Sequence, residues 1–310
     1  MRRICFSEYG GPEVLQVEEV ARPEPGEGEL LVEVQAVGVT LPVVRLTRAG
    51  HVPLPHAPGG EIGGRVVAIG PGVTGRRIGE RVAGLAFTGA YAEFAAVSSA
   101  MVSTVPDGVG DAAAVLLVRS GQVALGALDA AAPAEGESVL VTAAAGGVGH
   151  LAVQLARTRG ASRVVAAVGS LAKAGFLRDL GVDEVVTYDA EWGDPVDVVL
   201  DGTGGEVQAS GLRALAPLGR LVTYNGVGGT LDANELRMHG RSVIGFAMPH
   251  LVARRPDLYE RHQRELWSLY TAGRLTAAIH RTLPLEEAGE AHRIVEDREN
   301  HGKVILNPTL

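Results

Sequence analysis

Residues 138–157 read SVLVTAAAGGVGHLAVQLAR, and the backbone between the two apolar halves of this run is suited to holding a pyrophosphate. Gly146, Gly147 and Gly149, with Ala145 and Val148 between and beside them, let the main chain come close to an anion. The free N–H groups and positive dipole at the start of the following helix favour the negative charge. Val139, Leu140 and Val141 suit a buried strand leading in, while Val148, Leu151, Ala152 and Leu155 put one apolar face on a helix leading out. The three-glycine dinucleotide fingerprint requires glycine at 144, 146 and 149, and residue 144 is alanine, so the turn also reads as mere tight packing of strand on helix.

Short apolar strand candidates follow at 163–168, 184–188, 196–200, 220–224 and 243–246, several of them separated by helical stretches. Strand and helix alternating after a glycine-rich first turn predicts a Rossmann doubly wound parallel sheet, over 121–273. In such a sheet an acid about 20 residues past the glycines meets the 2′-hydroxyl of NAD. Here that place falls at Gly169 and Ser170, and neither is acidic. A carboxylate about 4 Å from a 2′-phosphate would cost about 4 kcal/mol per unit charge at an effective dielectric near 20, so its absence permits NADPH. Ser170 and Lys173 are candidates to hold that phosphate, and Tyr188, closing the third strand, reaches the same edge. Each has a plainer reading: an ordinary helix cap, a solvated lysine and a packed strand-end tyrosine.

The elements before and after this region differ from it. In the first ~118 residues, strand-like runs at 30–37, 64–69, 81–86 and 91–97 alternate with turns such as PEPGEGE and GPGVTG, predicting a β-barrel-like unit with little helix. A strand at 277–283, a helix over 285–296 and a strand at 303–306 are expected to return to it. The expected domains are therefore 1–120 with 274–310, and 121–273. MRRICFSEYGGPEVLQVEEV lacks the apolar core of about 7 to 15 residues of a secretory signal and reads as a first strand and hairpin.

Composition narrows the function classes. At 310 residues the chain has room for two cores. Its net charge of −8 argues against nucleic-acid binding, which needs a basic surface. Charges, Gly or Pro interrupt each apolar stretch before about 18 residues, so no membrane span is expected. The lone Cys5 excludes a disulfide framework and a zinc site of several cysteines, and fits a cytoplasmic location.

Six segments in order, GGPEVLQVEEV, PGGEIGGRVVAIGPGV, GAYAEFAAV, TAAAGGVGHLAVQLAR, LGVDEVVTY and HGKVILNP, resemble the zinc-independent medium-chain dehydrogenase/reductases of the quinone oxidoreductase (zeta-crystallin-like) group. The resemblance implies a GroES-like β-barrel catalytic domain beside the Rossmann domain. Zinc-dependent relatives carry a cysteine and a Gly-His-Glu histidine where this chain has Thr40 and Gly60, and neither residue replaces a thiolate or an imidazole on zinc. What remains is hydride transfer from NADPH to an already electrophilic carbon, in a quinone or an α,β-unsaturated carbonyl compound.

Thr40 is the substrate-side candidate by this resemblance, with an ordinary half-buried strand residue as its alternative. Zinc-free relatives usually place asparagine there. Leu41 stands where some carry a proton-donating tyrosine, and Val123 where a threonine is common, so the pocket is expected to be apolar and the proton to come from water. Asn225 and Gly226 match the loop that approaches the nicotinamide, though turn chemistry also accounts for them. Thr203 and Phe246 are counted with them on the cofactor side. His51 and His56 flank a proline-rich loop, and Tyr91 reads as packing.

The expected function is NADPH-dependent, zinc-free reduction of a quinone or enone by a homodimer paired through the edge strand at 242–248, with the substrate between barrel and nucleotide domain. A dedicated enoyl or enone reductase of a biosynthetic pathway is the second reading. An NADPH-binding sensor or structural protein is the third.

Overall fold

The computed structural model describes residues 1–226 and 228–310, and the chain divides into two compact units, Ser120–Ala277 and Met1–Arg119 with Ala278–Leu310. In the Ser120–Ala277 unit, six strands stand in the spatial order Glu184–Thr187, Arg163–Val168, Ser138–Thr142, Val196–Asp201, Leu215–Thr223 and Ser242–Gly245. All neighbours are parallel. Numbered along the chain the order is 3-2-1-4-5-6, the doubly wound arrangement expected from the alternation of strand and helix.

The strands form because both faces are covered. Val139, Leu140 and Val141 are fully buried, and Leu140 clusters with Val165, Val199 and Leu221 under Val207 and Leu212 of the helix Gly205–Ala214. One strand is longer than its apolar pattern. Leu215–Thr223 begins five residues before 220, and its pairing slips between Val196 and Val198. A bulge there turns Leu218 outward, in the left-handed region at φ 66 and 79% exposed.

In the other unit the main sheet has seven strands. Ile279–Pro284, Lys303–Asn307, Glu29–Val39, Gly60–Ile69, Arg81–Ala86 and Val102–Thr104 lie in that order, and Phe94–Ser98 also pairs with Glu29–Val39. The tail returns as expected, since Lys303–Asn307 pairs antiparallel with Glu29–Val39. The amino-terminal hairpin is present too, Arg2–Cys5 pairing with Gln16–Glu19. Alternate residues of these strands, among them Leu30, Val32, Val34, Ile62 and Val82, fill the core.

Two local features depart from the sequence pattern. The strand expected at 91–97 starts only at Phe94, because Tyr91 and Ala92 pair with the first strand instead: Ile4 donates to the Tyr91 carbonyl at 2.8 Å and Ala92 bridges Arg3. Leu41–Ala49 is a helix in a region read as β, with Pro42 in its first turn, where a missing N–H is tolerated.

The run Asp111–Ala131 is helical throughout, with a π-helical segment at Leu117–Gly121. It is 21 residues long with hydropathy 1.3, long and apolar enough by length and composition to cross a membrane, but 78% of that window is buried inside the protein.

Candidate functional site

The order of the parallel sheet reverses between Ser138–Thr142 and Val196–Asp201, and a crevice outside the carboxyl ends of strands opens at such a point. The glycine turn follows Thr142 there. Ala143 takes a left-handed conformation, φ 49, and its N–H donates to the Tyr188 hydroxyl at 3.1 Å. The Gly146 N–H turns back to the Ala143 carbonyl at 2.9 Å. Gly147, Val148 and Gly149 donate to no acceptor among the described residues, as expected of the first N–H groups of a helix.

A Cβ at Gly149 would lie 2.3 Å from the Ala143 oxygen and 2.6 Å from the Ala144 Cα. Only glycine lets the helix start so close to the strand. His150, fully buried and with Nδ1 2.8 Å from the Gly146 oxygen, braces the turn from below. This cradle of free N–H groups fits a pyrophosphate.

The adenosine end is set by the next two strands. The Ser170 hydroxyl caps the short helix Leu171–Lys173, accepting from the Ala172 N–H at 3.2 Å, and Lys173 closes that helix, half-buried. Tyr188 spans the gap to the turn, its ring 3.8 Å from the Cβ position of Gly169. Gly169, Ser170 and Lys173 bring a hydroxyl and an ammonium to this edge without a carboxylate, which fits a 2′-phosphate.

Farther along the same edge sits a residue that the sequence did not single out. Asp201 is fully buried. Its Oδ1 accepts from the Thr142 hydroxyl at 2.9 Å and the N–H groups of Thr203 and Gly204 at 3.0 and 3.2 Å, and its Oδ2 accepts from Gln208 at 3.0 Å. Thr203 is thereby fixed, with its hydroxyl on that of Thr142 at 3.1 Å.

Asn225 and Gly226 belong to the loop packed on this one. Gly226 has φ 151, and a Cβ on it would lie 2.8 Å from both the Thr203 oxygen and the Gly204 nitrogen. Tyr224 lies against Gly202, and burial, then the Asp201 carboxylate and Tyr188, push its phenol far above the ordinary range. Phe246 ends up on packing duty. Its ring lies against Gly126 of the helix Gln122–Ala131, while its N–H donates to the Thr223 carbonyl at 2.9 Å.

In the barrel unit, Thr40 ends the strand Glu29–Val39 and opens the helix Leu41–Ala49. Its carbonyl accepts from Val43 and Val44, both at 3.1 Å. Its hydroxyl makes no cap, and Oγ1 is buried without a hydrogen-bond partner among the described residues. Leu41 packs on the barrel core, and Val123 lies half-buried in the other unit. Gly60 is boxed in: a Cβ there would be 3.2 Å from the Gly38 oxygen and 3.4 Å from the Tyr91 ring, which leaves little room for an imidazole.

Tyr91 is itself buried, 3.1 Å from His292 Nε2. Burial holds the His292 imidazole down to about 4 and pushes the Tyr91 phenol well up. His56 stacks edge-on against Phe6 and burial lowers its pKa, while His51 is exposed.

Around Gly38 of the strand Glu29–Val39 the structure also gathers a charged group that sequence reasoning missed. Glu61, fully buried, accepts a hydrogen bond from Lys303 Nζ at 2.9 Å through Oε2, and Arg119 Nε lies at ion-pair distance, 3.3 Å, from Oε1, which accepts no hydrogen bond among the described residues. Burial pulls the Lys303 ammonium down, Glu61 opposes that and Arg119 adds to it. A signal was present, since Lys303 is one of only two lysines and opens an otherwise apolar strand. Among the described residues no group of three His, Cys, Asp or Glu stands together as metal ligands.

The chain resembles known proteins along nearly its whole length. The Alcohol dehydrogenase GroES-like domain family matches residues 26–107, and the Zinc-binding dehydrogenase family matches residues 180–306. A probable quinone oxidoreductase of Schizosaccharomyces pombe is 31% identical, over 98% of this chain and 96% of its own length. The chain belongs to the quinone oxidoreductase family. Its fold is accordingly a GroES-like barrel with a Rossmann sheet. A mycobacterial structure complexed with NADPH superposes with a TM-score of 0.92 at 32% identity, covering 99% of this chain and 100% of that one. A polyketide synthase of Streptomyces halstedii is 36% identical over 90% of this chain, which spans 5% of that much longer protein.

Proposed function

We propose that this quinone oxidoreductase family member binds NADPH and, without zinc, reduces a quinone or an α,β-unsaturated carbonyl compound. The observation that carries the reading is the buried Thr40 hydroxyl without a partner, standing where zinc-dependent relatives have a cysteine. An unsatisfied buried hydroxyl costs about 1–3 kcal/mol, and a substrate carbonyl oxygen accepting from it removes that cost. The crowding at Gly60 supports the zinc-free part.

The backbone of Ala145, Gly146, Gly147, Val148 and Gly149 binds the pyrophosphate, and Ser170, Lys173 and Tyr188 bind the 2′-phosphate end. Thr203, Asn225 and Gly226 border the nicotinamide, with Phe246 supporting that edge from behind. The bound cofactor supplies the hydride. Thr40 orients the acceptor, Leu41 beside it offers no proton, and water delivers the proton. The substrate part comprises 1–120 and 274–310, and the cofactor part 121–273.

The partner is a second copy, paired through the exposed edge strand Ser242–Gly245, and the location is the cytoplasm. Sedimentation at twice the monomer mass checks the first, and cell fractionation the second.

NADPH oxidation measured against a panel of quinones and one of enones and enoyl thioesters tests the activity. Saturable turnover of quinones or simple enones, undiminished by prolonged dialysis against a chelator, supports it. Turnover of enoyl thioesters alone would favour a dedicated biosynthetic reductase, the reading to which the polyketide synthase match lends weight. Tight NADPH binding with no acceptor reduced faster than in buffer would leave a nucleotide-binding sensor.

A further inference from the structure

Thr40 has a cross-strand neighbour with no part in the chemistry described so far. In the pairing of Lys303–Asn307 with Glu29–Val39, Val304 faces Val39 and Ile305 faces Gly38, so one more step of the register sets Lys303 opposite Thr40. Directly opposed side chains share a face, with Cβ atoms about 5 Å apart. Gly38, two residues before Thr40, is on the same face, and its partner on the next strand is Glu61. The Cβ position at Gly38 lies 2.3 Å from Glu61 Oε2 and 2.7 Å from Lys303 Cε, so the ion pair occupies the space that this glycine leaves.

Lys303 is 3% exposed and Glu61 0%. Arg119 Nε stands 3.3 Å from the other carboxylate oxygen, close enough for an ion pair but without a hydrogen bond to it. Two formal positive charges therefore meet one negative charge: Lys303 and Glu61 are shut off from water, Arg119 is part-exposed, and the group keeps one positive charge in excess. A buried ion pair that served stability alone would be neutral and would often be matched by apolar side chains. The extra cation calls for another explanation.

We propose that Glu61, Lys303 and Arg119 form a positioning group whose excess positive charge stabilises, across Thr40, the oxyanion that develops on the acceptor during reduction. The proposal rests on the reductase reading above. Hydride addition to the β-carbon of an enone moves the π electrons onto the carbonyl oxygen, and a solvent proton then neutralises the enolate. In a quinone the hydride adds to a ring carbon and the electron pair ends on a carbonyl oxygen; that oxygen takes one proton from solvent, and exchange of the ring-carbon hydrogen for one on the second oxygen completes the hydroquinone. The three residues gain and lose neither proton nor electron; they act as a fixed field, as oxyanion-stabilising groups do elsewhere. One unit charge roughly 8 Å away at an effective dielectric near 20 changes such a rate about tenfold to thirtyfold.

The test uses the sign of the charge. Lys303→Met takes the group to zero and Glu61→Gln takes it to two positive charges, while both break the same ion pair. A scaffold role moves the two variants together. The field predicts that Lys303→Met slows single-turnover hydride transfer about tenfold and that Glu61→Gln does not slow it, although both melt earlier. An independent readout is the apparent pKa of para-nitrophenol bound to the NADP⁺-loaded enzyme, followed by phenolate absorbance. It should rise by about one unit in Lys303→Met and fall in Glu61→Gln.

Equal slowing of both variants, or one nitrophenol pKa in all three proteins, would overturn the proposal. If Lys303→Met does not fold, the half-exposed Arg119→Met removes the same charge and must give the same rise. If no acceptor is reduced by the wild type, the reductase reading fails, and the nitrophenol titration still decides the field.

Discussion

The two candidate sites assign their polar groups in opposite ways. At the glycine turn of the Rossmann sheet, Asp201 takes up four donors, Tyr188 receives the Ala143 N–H and His150 holds the Gly146 carbonyl, and the groups the turn itself offers a ligand are main-chain N–H groups. At the end of the barrel strand, the Thr40 hydroxyl has no partner and the charges beside it do not cancel. A site made of backbone and committed bonds is insensitive to most side-chain changes and fails only when the main chain is displaced. A site made of uncommitted side chains is retuned by single substitutions without loss of the fold.

The largest effect expected from this contrast is at the turn. Gly149→Val forces a side chain into the Ala143 carbonyl, and NADPH affinity should fall by roughly a thousandfold or more in a fluorescence titration. A wild-type dissociation constant would break the view that the cradle is backbone-built. Next, Asp201→Asn turns an acceptor toward four donors partly into a donor, and should lose about 3 kcal/mol in denaturant unfolding. A loss below about 1 kcal/mol would mean that these bonds do not hold the loop.

In the barrel unit, the depressed His292 predicts an acid sensitivity. The unfolded imidazole takes up a proton near 6.5 and the folded one only near about 4. The unfolded state therefore binds more protons between these values, and stability rises with pH across that window. About 3 kcal/mol is fully present above the upper value and lost as pH falls through the lower one. Carboxylates add to acid unfolding, so the decisive quantity is the difference between wild type and His292→Gln, which should lack this part of the slope.

The smallest effect sharpens the comparison most. Thr40→Val should raise stability by about 1 kcal/mol, because it removes an orphaned hydroxyl, and lower kcat/KM about tenfold. Stability and activity falling together would show the hydroxyl to be bonded in solution and would merge the two kinds of site.

Much of the cofactor edge was legible in the sequence because its signals are local. The apolar triplet at 139–141, the small residues after it and the spacing of Leu151, Ala152 and Leu155 lie within one strand, turn and helix. The absent acid near Ser170 is likewise a matter of counting along the chain. Asp201 escaped notice because its meaning depends on Thr142, 59 residues earlier, on a neighbouring strand. The contact of the Phe246 ring with Gly126, 120 residues earlier, was likewise not legible from the strand before it. Glu61 and Lys303 are 242 residues apart, and each alone reads as a stray charge at the end of an apolar strand.

The sequence by itself determined the doubly wound sheet and the position of its glycine turn, since periodicity and small residues are properties of short segments. Tertiary structure alone decided which polar groups are committed and which are left over. Whether a buried hydroxyl, carboxylate or ammonium is satisfied depends on atoms brought beside it from distant parts of the chain, and strand register and close approach over glycine settle that.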